Sequence, residues 1–283
     1  MTFLARARRA AFALGCMRFK GAMLDDEPGA WYSGQKPLMW AYAGGGVIRR
    51  YGNAAEDIDE SIKMGFKVIE VDFARTADGI PAATHFFKPE DSELEWDHVP
   101  TSAEFKGRKV NGKYTPLLFD DLVSRYRDAE VFFALDPFYY HCNVRNGEAD
   151  FREYVISNTT ERERRRMILQ MYGFRTLCSA KAEWGFGGLH YVIGVGNIWK
   201  VEHLIPVLTE VGVHSVSLQD SEMTPGALRA VGLLRSANIH VSVAGVNTML
   251  RYGEVVKAGA DCINTMKLTP KELLHESADG RGV

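Results

Sequence analysis

The sequence predicts an α/β protein built as a (β/α)8 barrel. Three observations carry that expectation. Eight short apolar runs of strand length recur from Met39 onward. Amphipathic helical patterns separate many of them. The alternation also fills ~250 residues, the usual extent of such a barrel. A doubly wound sheet is the rival that the same alternation allows.

The strands are expected at Met39–Ala43, Val68–Phe73, Val131–Asp136, Met167–Met171, Tyr191–Val195, Ser215–Leu218, His240–Ala244 and Asp261–Asn264. Helical patterns occupy Ala54–Met64, Leu118–Tyr126, Val201–Val211, Pro225–Ala237 and Thr248–Ala258. Pro225 stands where a first helical turn tolerates proline. Gly259 follows Lys257-Ala258 near a helix C-cap. The stretch Phe87–Pro116 interrupts the alternation. It carries several acids, His98, Pro100 and the basic run Lys106-Gly107-Arg108-Lys109. It is expected as a long insertion after the second strand, either functional or a cap over the barrel end.

At the N-terminus, Ala5–Arg9 is basic and Ala10–Met17 is apolar but short, with Arg18 and Lys20 close behind. The apolar part is too short to span a bilayer and lies at the lower limit for a signal-peptide core. The expectation is a helical extension over residues 1–38 packed on one barrel domain, 39–283. Cytoplasmic location follows, with export by a short signal, or a lipoprotein site at Cys16, as the alternative. No stable membrane insertion is expected.

The 283 residues are 46% hydrophobic and 25% charged, which suits a globular core rather than disorder. A formal net charge of −2 argues against broad binding of nucleic acid. Cys16, Cys142, Cys178 and Cys262 are scattered without a CxxC pair, so neither a zinc site nor a disulfide framework is expected.

The densest chemistry lies in Phe66–His85, FKVIEVDFARTADGIPAATH. Glu70 and Asp72 stand two residues apart on an apolar strand. Side chains at i and i+2 share one face, roughly 7 Å apart along it. Two carboxylates on such a face repel unless a cation sits between them. The chain then turns at Thr76-Ala77-Asp78-Gly79 and returns to His85, a candidate acid or base. In a barrel, C-terminal strand ends converge on one mouth. Asp136 ends the third strand there and Tyr42 the first. Glu70, Asp72 and Asp136 thus form a three-carboxylate site suited to Mg2+ or Ca2+. Gly44, Gly45 and Gly46 would let the backbone approach a phosphate closely.

These motifs resemble the glycerophosphodiester phosphodiesterase family, a group of phosphatidylinositol-phospholipase-C-like barrels. The resemblance runs from Met39 to Leu268. It rests on Ala41-Tyr42-Ala43-Gly44, Asn53, Glu70-Val71-Asp72, Thr76-Ala77-Asp78-Gly79, His85-Phe86, Tyr114-Thr115-Pro116-Leu117 with Phe119-Asp120-Asp121-Leu122, Asp136, Val246-Asn247 and Gly259-Ala260-Asp261. It implies a metal-dependent enzyme acting on a small-molecule phosphodiester, with Asn53 among the substrate-binding residues. Three positions depart from the pattern. Tyr42 stands for the first histidine, Phe86 for the aspartate after the second, and Phe138 for a lysine two residues past the third acid. Arg49 and Arg50 are candidates to replace that lysine against phosphate. His141, just past the third strand, is a candidate replacement acid or base, whereas His190 and His240 read as structural groups at strand starts. Trp40, Tyr172, Trp184 and Trp199 either line the mouth or fill the layer between strands and helices, with core packing the better reading for each singly.

A tyrosine titrates near ~10 and a histidine near ~6.5. Tyr42 therefore serves more readily as a neutral hydrogen-bond donor than as a base. Loss of a general base costs ~10²–10⁴ in rate. Two readings follow: an enzyme of altered acid/base chemistry on glycerophosphodiesters or sugar phosphodiesters, by hydrolysis or transfer, or an inactive barrel that binds a phosphate ligand or a protein partner. An unrelated metal-assisted aldolase or lyase barrel is a third.

Overall fold

Apolar runs that read as continuous rather than alternating are those buried on both faces, as parallel strands covered by helices must be. The computed structural model describes residues 3–17, 38–45, 52–85, 87, 96–141, 146–180, 184–194, 196–219, 225–271 and 273. Its strands are β1 (Leu38–Ala41), β2 (Val68–Arg75), β3 (Pro81–Ala83), β4 (Phe132–Asp136), β5 (Met167–Met171), β6 (Gly188–Val192), β7 (Ser215–Gln219), β8 (His240–Ala244) and β9 (Cys262–Thr265). Their helices are α1 (Phe3–Met17), α2 (Ala55–Lys63), α3 (Ser102–Gly107), α4 (Phe119–Arg125), α5 (Phe138–His141), α6 (Gly147–Asn158), α7 (Glu161–Arg164), α8 (Phe174–Cys178), α9 (Val201–Val211), α10 (Pro225–Ser236) and α11 (Met249–Lys257).

The sheet runs β1-β9-β8-β7-β6-β5-β4-β2-β3, and β1 also pairs with β2. All pairings are parallel except β2 with β3, so eight parallel strands close into a barrel. Each expected strand is present. The fifth expected strand, observed as β6, lies three residues earlier than Tyr191–Val195, because its ladder with β5 already begins at Ile168↔Gly188. Gly187 must also pack against the Arg165 carbonyl, where a Cβ would stand 2.0 Å from the oxygen. His190 consequently sits in mid-strand rather than at a strand start.

The main core lies between strands and helices and includes Ile58, Phe73, Phe119, Leu135, Phe151 and Leu204. A second cluster fills the barrel interior: Trp40, Val68, Ala134, Ile168 and Cys262. Helix starts follow side-chain capping. Thr101 caps α3 in a capping box with Glu104, and Thr248 caps α11.

The β2–β3 hairpin turns through Thr76–Gly79, with Gly79 at φ 87. Asp78 ties that turn to α3 by accepting from the Ser102 amide and hydroxyl, at 2.9 and 2.6 Å. Ala82, Trp96, Phe105 and Val110 form a small satellite core over the hairpin, with the Arg108 guanidinium 4.1 Å above the Trp96 ring. Of the stretch expected as an insertion, Phe87 and residues 96–116 are described, and α3 is their one helix. Phe12 of α1 packs edge-on against Phe174 and Trp199, at 5.2 and 5.7 Å between centroids. Among the described residues no helix is long and apolar enough to cross a membrane.

Candidate active site

Register places the acids. β2 and β4 align Asp72 with Asp136, and neighbouring strands lie ~4.8 Å apart. Glu70, two residues earlier on the same face, stands one layer deeper. All three carboxylates are buried. The two outer ones stand at the C-terminal end of the barrel, where loops form the mouth.

Neutral donors hold each of them. The Gln170 side-chain amide donates to Glu70 Oε1 at 2.7 Å, and the Ala43 main-chain amide donates to the same carboxylate. Glu70 Oε2 has no hydrogen-bond partner among the described residues. Asn53 clamps Asp72 twice: its Nδ2 donates to Oδ2 at 2.8 Å, and its Oδ1 accepts from the Asp72 amide at 3.1 Å. Asp136 Oδ1 accepts from the Phe138 amide at 2.8 Å, and Oδ2 accepts from the Tyr172 hydroxyl at 2.7 Å.

The electrostatics follow from burial. Desolvation, then the charges of Asp136 and Asp72, push Glu70 well above the carboxylate range. Desolvation, then Asp136, pushes Asp72 up to about 8, against the opposing pull of the Asn53 hydrogen bond. Burial and the negative charges of Asp136 and Glu70 raise the Tyr172 phenol, so it stays a protonated donor. The donor set, hard oxygens with one buried atom left over, suits Mg2+ or Ca2+ chemically. As the side chains stand, however, no group of three or more His, Cys, Asp or Glu among the described residues is arranged to hold a metal ion.

Other candidates fall as follows. Tyr42 opens a 3-10 turn, Tyr42–Gly44, immediately after β1, and it acts electrostatically on Tyr172. His85 is buried two residues beyond β3. The preceding Thr84 amide donates to the Asp72 carbonyl at 3.0 Å, which brings His85 to the Asp72 end of β2. Gly44 and Gly45 have φ of 77 and 109. A Cβ on Gly45 would lie 1.8 Å from Ser61 Oγ, and one on Gly44 2.8 Å from the Asn53 nitrogen. Both glycines therefore allow the loop to close on α2. Asn53 is engaged with Asp72. Arg49, Arg50, Gly46 and Phe86 lie outside the described residues, as does the side chain of His141. Phe138 packs its ring 4.9 Å from that of Tyr172, so an aromatic pair stands where the resemblance has a lysine. His190 is buried between the Trp40 ring, 5.0 Å away, and Ser215 Oγ, 2.6 Å from Nδ1. His240 neighbours Asp261 at 3.6 Å. Both are structural.

Sequence reasoning missed Gln170 and took Tyr172 for packing. A polar residue in phase with Ile168 in the run Met167–Met171 marks the first. Only cross-strand register reveals the second.

No protein-family model matches the sequence, and no curated protein matches it. Solved structures do. One from Agrobacterium tumefaciens, assigned to the glycerophosphoryl diester phosphodiesterases, aligns with a TM-score of 0.67 at 12% identity over 87% of this chain and 99% of its own. A glycerophosphodiester phosphodiesterase from Parabacteroides distasonis aligns at 0.62 and 16%, over 87% and 100%. An Oleispira antarctica phosphodiesterase, in complex with its product sn-glycerol-3-phosphate, aligns at 0.58 and 17%, over 82% and 93%. In fold, the closed barrel is similar to the barrels of solved glycerophosphodiester phosphodiesterases.

Proposed function

We propose that the barrel mouth takes a phosphodiester of glycerol or of a sugar and acts on it, by hydrolysis or phosphoryl transfer, with altered acid and base groups. One observation carries this reading. Three acids are buried together on β2 and β4, each held by a dedicated neutral donor from another part of the barrel. Burying mutually repelling carboxylates is costly, and packing alone gives no reason for it. The bound product of the Oleispira enzyme supports a glycerol phosphate as the class of ligand.

In this reading Glu70, Asp72 and Asp136 would hold Mg2+ or Ca2+, which when bound offsets phosphate charge. Asn53, Gln170 and Tyr172 orient the three acids. As the oxygen of water or of an acceptor hydroxyl forms its bond to phosphorus and releases its proton to solvent, the bond from phosphorus to the leaving alkoxide oxygen breaks and His85 passes a proton to that oxygen. The Tyr42 hydroxyl donates a hydrogen bond to a phosphate oxygen. Glycines 44 and 45 and, by charge, Arg49 and Arg50 complete the phosphate side.

A second reading is favoured by the aromatic pair. Phe138 lies on Tyr172, and the Tyr172 hydroxyl occupies Asp136 Oδ2. A mouth so filled could bind a phosphate ligand or a protein partner without turning anything over. Calorimetric titration of Mg2+ and Ca2+ into wild type and Asp72→Asn, followed by turnover assays on glycerophosphodiesters and sugar phosphodiesters, separates these cases. Equal metal binding by both proteins removes the metal site. Phosphodiester binding with no turnover selects the second reading.

A further inference from the structure

α1 contains three arginines, Arg6, Arg8 and Arg9, and no acidic residue. Its inward side is occupied, since Phe12 packs on Phe174 and Trp199. Arg6 and Arg8 face outward, and Leu14 on the same helix is 46% exposed. Arg9 lies 4.9 Å over the Trp199 ring, and Lys200 Nζ lies 5.6 Å over the same ring. Beside them, between α1, the first turn of α9 and the middle of α10, opens a cleft of about 360 Å3. Arg9, Arg229 and His203 line its polar side, and Ile198, Trp199 and Leu233 its apolar side. Among the described residues that line it, Glu202 is the one acid, 3.8 Å from Arg229.

Arg9 and Arg229 in the cleft, with Lys200 beside it, thus meet one carboxylate among the described lining residues, and Arg6 and Arg8 add exposed positive charge on the two flanks of α1, on a chain whose formal net charge is −2. Such local excess is complementary to a dense anionic surface. The aromatic ring at its centre and the exposed leucine suit the boundary between headgroups and acyl chains. Position adds to this. Phe174 follows β5 and Trp199 follows β6, so α1 lies at the C-terminal end of the barrel, the end that carries Asp72 and Asp136.

We propose that this face docks reversibly on an anionic lipid bilayer, with one lipid phosphate seated in the cleft between Arg9 and Arg229. The mouth then opens beside the membrane. The proposal does not rest on the chemistry assigned to the mouth.

The test is co-sedimentation of the full chain with phosphatidylcholine vesicles, with and without phosphatidylglycerol, at low and high salt. The expected result is binding to the anionic vesicles only, released by salt. Arg6→Gln with Arg8→Gln removes two exposed charges without touching the core. At ~1 kcal/mol per arginine near such a surface, it should lower partitioning about thirtyfold. Arg229→Glu, on a different helix, should lower it as well. Equal binding to neutral vesicles, or an unchanged double variant, would overturn the proposal. So would complete displacement by soluble glycerol phosphate, which would make the cleft a seat for a free anion. Preference for duplex RNA over vesicles would likewise overturn it.

Discussion

Replacing Asp72 by asparagine should make the metal-free protein more stable. Asp72 is buried and pushed up to about 8 by desolvation and by Asp136, against ~3.9 in an unfolded chain. Because the folded-state value is the higher one, the folded chain holds a proton that the unfolded chain releases. This group's penalty is absent below about pH 4, grows as pH rises, and levels off above the folded value of about 8. At pH 7 the gap is ~3 units, or ~4 kcal/mol at 1.36 kcal/mol per unit. Desolvation, the larger cause, disappears with the carboxylate, and the repulsion with Asp136 goes with it, so removing Asp72 recovers on the order of 2–4 kcal/mol. Asparagine can still accept the 2.8 Å hydrogen bond from Asn53, so the geometry survives. The assay is urea unfolding of both proteins at pH 4 and pH 7, in chelator and in excess Mg2+ or Ca2+. In chelator the variant should be the more stable at pH 7, and the gap should close at pH 4. A cation at a hundred times its Kd should stabilise wild type by ~2.7 kcal/mol and leave the variant unmoved. A variant less stable than wild type in chelator at pH 7 would refute the electrostatic argument. Indifference of wild type to both cations would refute the metal reading.

If the mouth turns over a phosphodiester, His85→Ala should lower kcat at least about tenfold, and unchanged turnover would exclude His85 from the chemistry. Tyr42→Phe should cost roughly ten- to a hundredfold if its hydroxyl binds phosphate, since a hydrogen bond to a charged group contributes about 1.5–3 kcal/mol. Tyr42→His should restore glycerophosphodiester hydrolysis if the site is a decayed hydrolase and lower the native activity if it is a rebuilt one. Tyr172→Phe removes the 2.7 Å donor to Asp136; it should weaken cation affinity, measured calorimetrically, while leaving the Phe138 ring contact in place. Gly45→Ala would put a Cβ 1.8 Å from Ser61 Oγ at φ 109, and should destabilise by at least about 2 kcal/mol in a thermal melt.

The barrel was legible because parallel strands packed on both faces leave continuous apolar runs, as Val68–Phe73 and Phe132–Asp136 do. Glu70, Asp72 and Asp136 stood out for the same reason, being charges inside those runs. Gln170 and Tyr172 were not legible as partners. Their roles depend on the β4–β5 register, Leu135↔Leu169, which sets residues far apart in sequence at one level. The start of β6 was misplaced because Gly187-Gly188 reads as a turn, whereas here it allows close strand entry. Asn53 matched a motif, but its use as a two-point clamp on Asp72 requires φ of 50 and the closed loop on α2. α6 was not anticipated; its buried Phe151 and Val155 are two apolar contacts in an otherwise mixed helix.

The filled floor of the barrel governs traffic. Trp40, Val68, Ala134, Ile168 and Cys262 fill the barrel interior, and the buried His190 packs beside Trp40. Among the described residues, packed side chains fill this level of the barrel. If the mouth turns over a phosphodiester, the phosphate product leaves by the way the substrate came in, and it vacates the seat that the next substrate needs. On that reading product should compete with substrate for the free protein, raising apparent KM without changing kcat.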